Sequence, residues 1–325
     1  MKSIEQEYCS AIRKNRNIFL QVIEPFRPEL FRYCYSLTKQ PWDAEDLVQE
    51  TITRAYTKLS EVWISGIKDP KSYIFRIATH TWFDQCRRSG VVLNDNERIL
   101  EELAPEKYDP LELKEALETM LLHLPPKQRV AILLKDVFDY RIQDISAIME
   151  TTAGAVKALL SRGRSKMKKL QNEHPSPTHE KEKPSEALLQ ELVKTFNSRD
   201  MDGMLSLFLE HASTEVVGSV QEWNRDEIRE GSMAHTIYDG NGSPLPLGFP
   251  VAREVEVFGE RLLILVEEGE ILDDVLRIHE ADGKVARWIS YYYCPEVLRV
   301  VAEQLNMETK NHGYFPNMGD EEPMN

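Results

Sequence analysis

The chain has 325 residues, of which 42% are hydrophobic and 29% charged, with a formal net charge of -14. That length predicts two or three domains with adequate cores. No apolar run of the roughly 18 residues needed to cross a bilayer occurs, and the opening "MKSIEQEYCSAIRKNRN" lacks the apolar core of a secretion signal, so a cytoplasmic protein is expected.

Four cysteines, Cys9, Cys34, Cys86 and Cys294, lie far apart, without C-x-x-C pairs or His at metal spacing. They read as idle thiols, and neither a metal site nor a cofactor is expected. The charge is unevenly spread. Residues 1–173 hold 27 Lys/Arg against 25 Asp/Glu, a net +2, while residues 174–325 hold 13 against 29, a net -16. Only the first half could be drawn to nucleic acid by its charge.

From Pro41 onward Ala44, Leu47, Val48, Thr51, Ala55 and Leu59 recur at helical spacing, and a second helix opens after Pro70 with Ile74, Ile77, Ala78 and Thr81. Tyr73, beside Ile74 and Ile77, is expected in the core. A passage rich in acids and proline, 91–110, reads as a linker. Beyond it "YRIQDISAIMETTAGAVKALL" predicts a short helix with Ile142, Ile145, Ile148 and Met149 inward, a tight break at Glu150–Thr151 and Thr152 as N-cap of the next helix.

That next helix, in "TTAGAVKALLSRGRSKMKKL", places Val156, Leu159, Leu160, Gly163, Met167 and Leu170 on one arc. Lys157, Arg162, Arg164, Lys166, Lys168 and Lys169 fall opposite, with no acid among them. A short helix, a turn and a basic helix form a helix-turn-helix pattern, whose second helix enters the major groove. A solvated charged face of a helical bundle is the plainer alternative.

After a polar, Pro-rich linker at 171–184 the pattern changes. A long amphipathic helix, "EALLQELVKTFNSRDMDGMLSLFLEH", precedes the strand-like runs "REVEVFGERLLILVEEGE" and "ILDDVLRIHEADGKVARWISYYYC", whose Asp-Gly suits a hairpin turn. A helix, "PEVLRVVAEQLN", closes an α+β pattern. The last residues, 306–325, read as a disordered tail.

Three motifs in order, "DAEDLVQETITRAYTKL", "DPKSYIFRIATHTWFDQCRRSG" and "LPPKQRVAILLKDVFDYRIQDISAIMETTAGAVKALLSRGRSKMKKL", together resemble the extracytoplasmic-function group of bacterial RNA polymerase sigma factors over residues 20–170. The resemblance implies a sigma region 2 over 1–90, an acidic linker over 91–110 and a region 4 helix-turn-helix over 111–170, both domains all-α. It assigns Asp43, Glu45, Asp46, Leu47, Gln49 and Glu50 to core polymerase. An acidic helix start also suits a basic partner, or simple capping.

To the minus-ten promoter element it assigns Lys71, Phe75, Arg76, His80, Trp82, Phe83, Arg87 and Arg88, a mixture of aromatic faces and cations that suits an opened strand. To the minus-thirty-five element it assigns Thr152, Ala155, Lys157, Ala158, Ser161 and Arg162 near bases, with Arg164, Lys166 and Lys168 on phosphates; Leu124–Leu134 would pack on the polymerase flap. Three positions depart from the family. Thr79-His80 stands where many members have Arg-Asn, and Gly163 stands where Ala is frequent.

Residues 185–305 resemble the SnoaL-like domains, cone-shaped α+β folds with a curved sheet around a pocket. Some relatives of that fold are acid–base enzymes, and His235, Tyr238, Asp274, His279 and Tyr292 qualify by residue type alone, but no spacing fixes a site. The expected function is that of a non-enzymatic sigma factor with core RNA polymerase and promoter DNA as partners. The acidic third domain would regulate it, with an anti-sigma factor or a small ligand left open. The alternatives are an effector-controlled helix-turn-helix regulator and, behind it, an enzyme.

Overall fold

The computed structural model describes residues 18–61, 69–90, 124–170, 184–238 and 250–314, with four further positions between 243 and 248. Most of both expected linkers lies outside these residues. The chain divides into two compact units, Met1–Pro177 and Thr178–Asn325.

The first unit is helical. After a short 3-10 turn, α1 (Arg27–Thr38) ends at Lys39, whose left-handed backbone (φ 63°) turns the chain into α2 (Pro41–Glu61). α3 (Pro70–Arg88) starts on Asp69, whose carboxylate accepts the Ser72 N–H. Ala44, Leu47, Val48, Thr51 and Ala55 of α2 and Ile74, Ile77, Ala78 and Thr81 of α3 are all buried, as their spacing requires. Tyr73 differs from expectation: it is only half-buried, at the edge of that stripe, with the Arg76 guanidinium 5.6 Å from its ring.

The centre of this layer is polar. Arg27 and Glu45, 2% and 0% exposed, form an ion pair, and the Gln49 amide also donates to Glu45 at 2.7 Å. The Tyr33 hydroxyl meets Thr79 Oγ1 at 2.8 Å, and Thr79 also donates to the Phe75 carbonyl. Thr79 is thus a buried hydrogen-bonding residue.

Further along, α4 (Pro126–Ile132) runs into a π-helical turn at Leu133–Val137, followed by α5 (Ile142–Ile148) and α6 (Ala153–Leu170). The break between α5 and α6 holds Glu150 at φ 50°, and Thr152 Oγ1 accepts the Ala155 N–H at 3.1 Å, giving the expected cap. Val156, Leu159 and Leu160 pack inward.

Gly163 is buried against α4, where an added Cβ would come 2.5 Å from Ile132 Cδ1 and 3.4 Å from Gln128 Cβ. Close helix approach explains the residue. Ala gains about 1 kcal/mol in helix propensity, but overpacking a confined side chain costs about 1–3 kcal/mol. Gly163→Ala is therefore expected to lower the thermal midpoint; a raised midpoint would contradict the close approach.

The second unit is α+β. The predicted single long helix is instead α7 (Glu186–Asn197) and α8 (Met201–Ser206), followed by β1 (Phe208–Val216). Arg199 takes φ 58°, Asp200 caps α8 through the Gly203 N–H at 2.8 Å, and "FLEH" is strand. β2 (Val220–Trp223), α9 (Asn224–Glu230) and α10 (Ser232–Ile237) follow, then β3 (Val251–Val257), β4 (Glu260–Glu267), β5 (Ile271–Ala281) and β6 (Lys284–Ser290). The Asp282-Gly283 turn joins β5 to β6 with positive φ at both positions, as a two-residue hairpin demands.

The sheet runs β2-β1-β6-β5-β4-β3, with β1 and β6 parallel and the other neighbours along it antiparallel. One core gathers Leu189, Phe196, Met204, Phe208, Leu276 and Trp288 from helices and sheet. After α11 (Pro295–Leu305), residues 306–314 depart from the expected disordered tail. They form β7 (Glu308–Thr309), paired to β5, and continue across it: His312 Nε2 lies 3.1 Å from the Asp273 carbonyl, and Tyr314 donates to Glu296.

Candidate polymerase and nucleic-acid interfaces

On α2 the six residues assigned to polymerase divide by exposure. Asp46 is exposed, and Asp43, Gln49 and Glu50 are partly so. Glu45 and Leu47 have no exposed surface at all. One completes the buried ion pair and the other fills the core. Glu50 is the hub of a surface network, accepting from Arg54 at 2.6 Å and Gln85 at 3.0 Å, while Arg54 reaches Asp84 at 3.1 Å.

α3 was expected to display aromatics and cations together, and the structure separates them. Phe75, Trp82 and Phe83 are buried. Arg87 and Arg88 are exposed, with Arg87 donating to Asp84. Arg76 and His80 are partly exposed, and Lys71 pairs with Glu29 at 2.8 Å.

The side chains that meet the buried aromatics from outside α3 include several beyond residue 128. Phe138 stands edge-on to Tyr33 (5.6 Å, 87°) and to Phe75 (5.8 Å, 69°), and Tyr140 lies 5.6 Å from Phe75. Arg129 donates to the Leu37 carbonyl at 2.9 Å with its guanidinium 5.4 Å from the Trp82 ring, and burial pulls its pKa down to about 10. No periodicity signals these five contacts, because they join segments far apart in the chain.

On α6, Thr152, Lys157 and Ser161 are exposed and Ala155, Ala158 and Arg162 partly so, all on the side away from the packed Val156, Leu159, Leu160 and Gly163. These residues span about three turns from the cap onward. Lys166 is partly exposed, whereas the Lys168 side chain falls outside the described residues. Arg164 makes two hydrogen bonds to Asp136, at 2.6 and 3.2 Å, so a phosphate would have to displace a carboxylate there.

Of the third-domain candidates, His235 and His279 are exposed and Tyr238 packs beside the core. Asp274 is buried, accepting from Ser290 Oγ at 2.6 Å and the Val275 N–H at 2.7 Å. Burial first, then the charge of Asp273, pushes its pKa up to about 8 against those hydrogen bonds. Tyr292 stacks on His312 at 3.7 Å, and His312 lies 3.2 Å from Asp273 Oδ1. Sequence reasoning missed Asp273, Ser290 and His312. The doublet Asp273-Asp274 inside an apolar strand was the signal available, and the bulge that inserts Asp273 opposite β4 was not.

Among the described residues there is no group of three His, Cys, Asp or Glu placed to hold a metal, and no helix long and apolar enough to cross a membrane.

Two helical subdomains, the second a helix-turn-helix, make up the described part of the first unit. Residues 22–91 match sigma-70 region 2 and residues 114–167 match sigma-70 region 4. The chain is 30% identical over 235 residues to the ECF RNA polymerase sigma factor SigG of Mycobacterium tuberculosis, covering 62% of this chain and 62% of that protein. It thus spans less than two thirds of that relative's length. It is 24% identical over 169 residues to the ECF sigma factor SigW of Bacillus subtilis, covering 48% of this chain and 89% of SigW.

Among solved structures, the crystal structure of the Mycobacterium tuberculosis extracytoplasmic function sigma factor SigJ covers 83% of this chain and 95% of that one, at 20% identity and a TM-score of 0.32. The chain thus carries segments that match sigma-70 regions 2 and 4 and is similar to extracytoplasmic-function sigma factors.

Proposed function

We propose that the chain acts in the cytoplasm as a sigma factor, joining core RNA polymerase, selecting promoters and helping to open them, and that it is not an enzyme. The observation that carries this reading is the order of two sigma-70 regions, 22–91 and 114–167, with an exposed cationic strip on the second helix of the helix-turn-helix.

In this reading Asp43, Asp46, Gln49 and Glu50 face polymerase. Arg76, His80, Arg87 and Arg88 follow the opened minus-ten strand, and Lys71 joins them once it leaves Glu29. Thr152, Ala155, Lys157, Ala158, Ser161 and Arg162 read the minus-thirty-five element, with Arg164, Lys166 and Lys168 on phosphates. Residues 185–314 form a SnoaL-like regulatory domain. Its half of the chain carries a net -16, which repels DNA and attracts basic surfaces.

Run-off transcription with purified core polymerase on promoter fragments tests the reading. A promoter-specific transcript is expected from the full chain or from one ending at Gln171, and absence of transcript from both would sink the assignment. Different yields from the two lengths are expected from a regulatory third domain; equal yields would remove that role. Lys157→Ala is expected to lower transcription from promoters with a minus-thirty-five element roughly tenfold, the effect of about 1.4 kcal/mol from one lost base or phosphate contact.

A further inference from the structure

Four of the cations that the sigma-factor reading places on DNA already have a carboxylate beside them. Lys71 lies 2.8 Å from Glu29, Arg87 pairs with Asp84, Arg88 stands 3.7 Å from Glu50, and Arg164 pairs with Asp136. The last is held by two hydrogen bonds, donated by Arg164 Nη2 at 2.6 Å and Nε at 3.2 Å. Two parallel bonds of this kind are also how a guanidinium grips a phosphate.

The helix packing puts the acid there. Asp136 follows Gln128 and Ile132 at four-residue steps, and those two meet Gly163 where α6 approaches α4. The same approach brings the Asp136 carboxylate to the next residue of α6, Arg164. On α6, Lys157, Ser161 and Arg164 recur at steps of four and three, so Arg164 stands in line with the exposed Lys157 and Ser161. A negative charge thus sits beside a helix face whose expected partner is a polyanion. Both side chains are more than a third exposed, 37% for Arg164 and 36% for Asp136, so the pair adds little to stability and is open to exchange.

A DNA phosphate and the Asp136 carboxylate need the same N–H groups. When the phosphate takes them, the carboxylate is left facing the DNA backbone; when the phosphate leaves, the carboxylate retakes the guanidinium. We propose that Asp136 is a built-in competitor for Arg164, which keeps the hold of region 4 on the minus-thirty-five element weak enough to be given up. The inference rests on the sigma-factor reading.

The full chain assembled with core polymerase, titrated against a labelled promoter fragment that yields a run-off transcript and carries a minus-thirty-five element, tests this. Asp136→Ala is expected to tighten binding about fivefold, the equivalent of about 1 kcal/mol. Asp136→Asn, which keeps the shape and drops the charge, is expected to tighten it by less. Arg164→Ala is expected to weaken binding, and adding Asp136→Ala to it to change binding no further, because the competitor then has nothing to hold.

Unchanged or weaker binding by both Asp136 variants overturns the competitor and leaves the promoter reading standing. A gain of the same size in the Arg164→Ala background also overturns it, since plain repulsion between Asp136 and DNA would then explain the effect. No promoter complex with any of these chains, the unaltered one included, overturns the promoter reading itself.

Discussion

Glu45→Ala is expected to cost about 3–5 kcal/mol, because it removes the buried carboxylate that pairs with the Arg27 guanidinium in a site 2% exposed. Arg27→Ala should cost a similar amount by stranding Glu45. Replacing both, as Arg27→Met/Glu45→Leu, removes the charge problem from each side and should recover most of the loss, since a buried ion pair seldom outperforms well-packed apolar groups of similar volume. Urea denaturation gives the measurement: the midpoint falls for each single variant and returns for the double, with the slope unchanged.

Asp46→Ala supplies the contrast. Its side chain is exposed, so its substitution should leave the midpoint within about 0.5 kcal/mol of the original while weakening association with core polymerase. A single Glu45 variant as stable as the parent would show that the buried pair does not hold α1 on α2.

The second large effect concerns Asp274 and runs with pH. Its carboxyl ionises at about 8 in the folded chain, against an ordinary value of 3.8. Between those values the unfolded chain has lost a proton that the folded chain still holds, so stability falls as pH rises across the window and levels off above it. Stability from this group is full below about pH 4 and gone beyond about pH 8. A shift of this size is worth on the order of several kcal/mol.

Asp274→Asn keeps a neutral partner for Ser290 and the Val275 N–H and has no proton to lose. It is expected to be more stable than the parent at pH 8, with the gap narrowing steadily as pH falls towards 4. The difference between the two melting curves, taken across pH, isolates Asp274 from every other titrating group. A difference that stays flat from pH 5 to pH 8 would show that Asp274 is not the buried neutral acid described.

The two cases show what periodicity conveys and where it stops. Apolar spacing placed α2, α3 and α6 and their inward residues, because local burial repeats at the helical period. The Asp-Gly of 282–283 and the Thr152 cap were legible because single residue types solve those backbone problems. Glu45 was read as surface because an acid in an acidic helix start is usually solvated, and its Arg27 partner lies on another helix. That Phe75 and Trp82 are buried is not legible from their type, since the rings and cation that cover them come from residues 47 to 65 positions further on. The break at Arg199 escaped because a left-handed arginine carries no compositional mark.

β7 has a consequence for the behaviour of shortened chains. β6 pairs with β5 only from Leu276 onward, and β7 covers the same side of β5 at Ile271 and Leu272. Thr309 Oγ1 and the Lys310 N–H both use the Leu272 carbonyl, at 3.1 and 3.2 Å. A chain ended at Leu305 would leave that stretch as an open strand edge among apolar neighbours, ready to pair with another copy. Self-association would then be created by the cut, and the folded boundary of the domain lies at or beyond Tyr314, not at the end of α11.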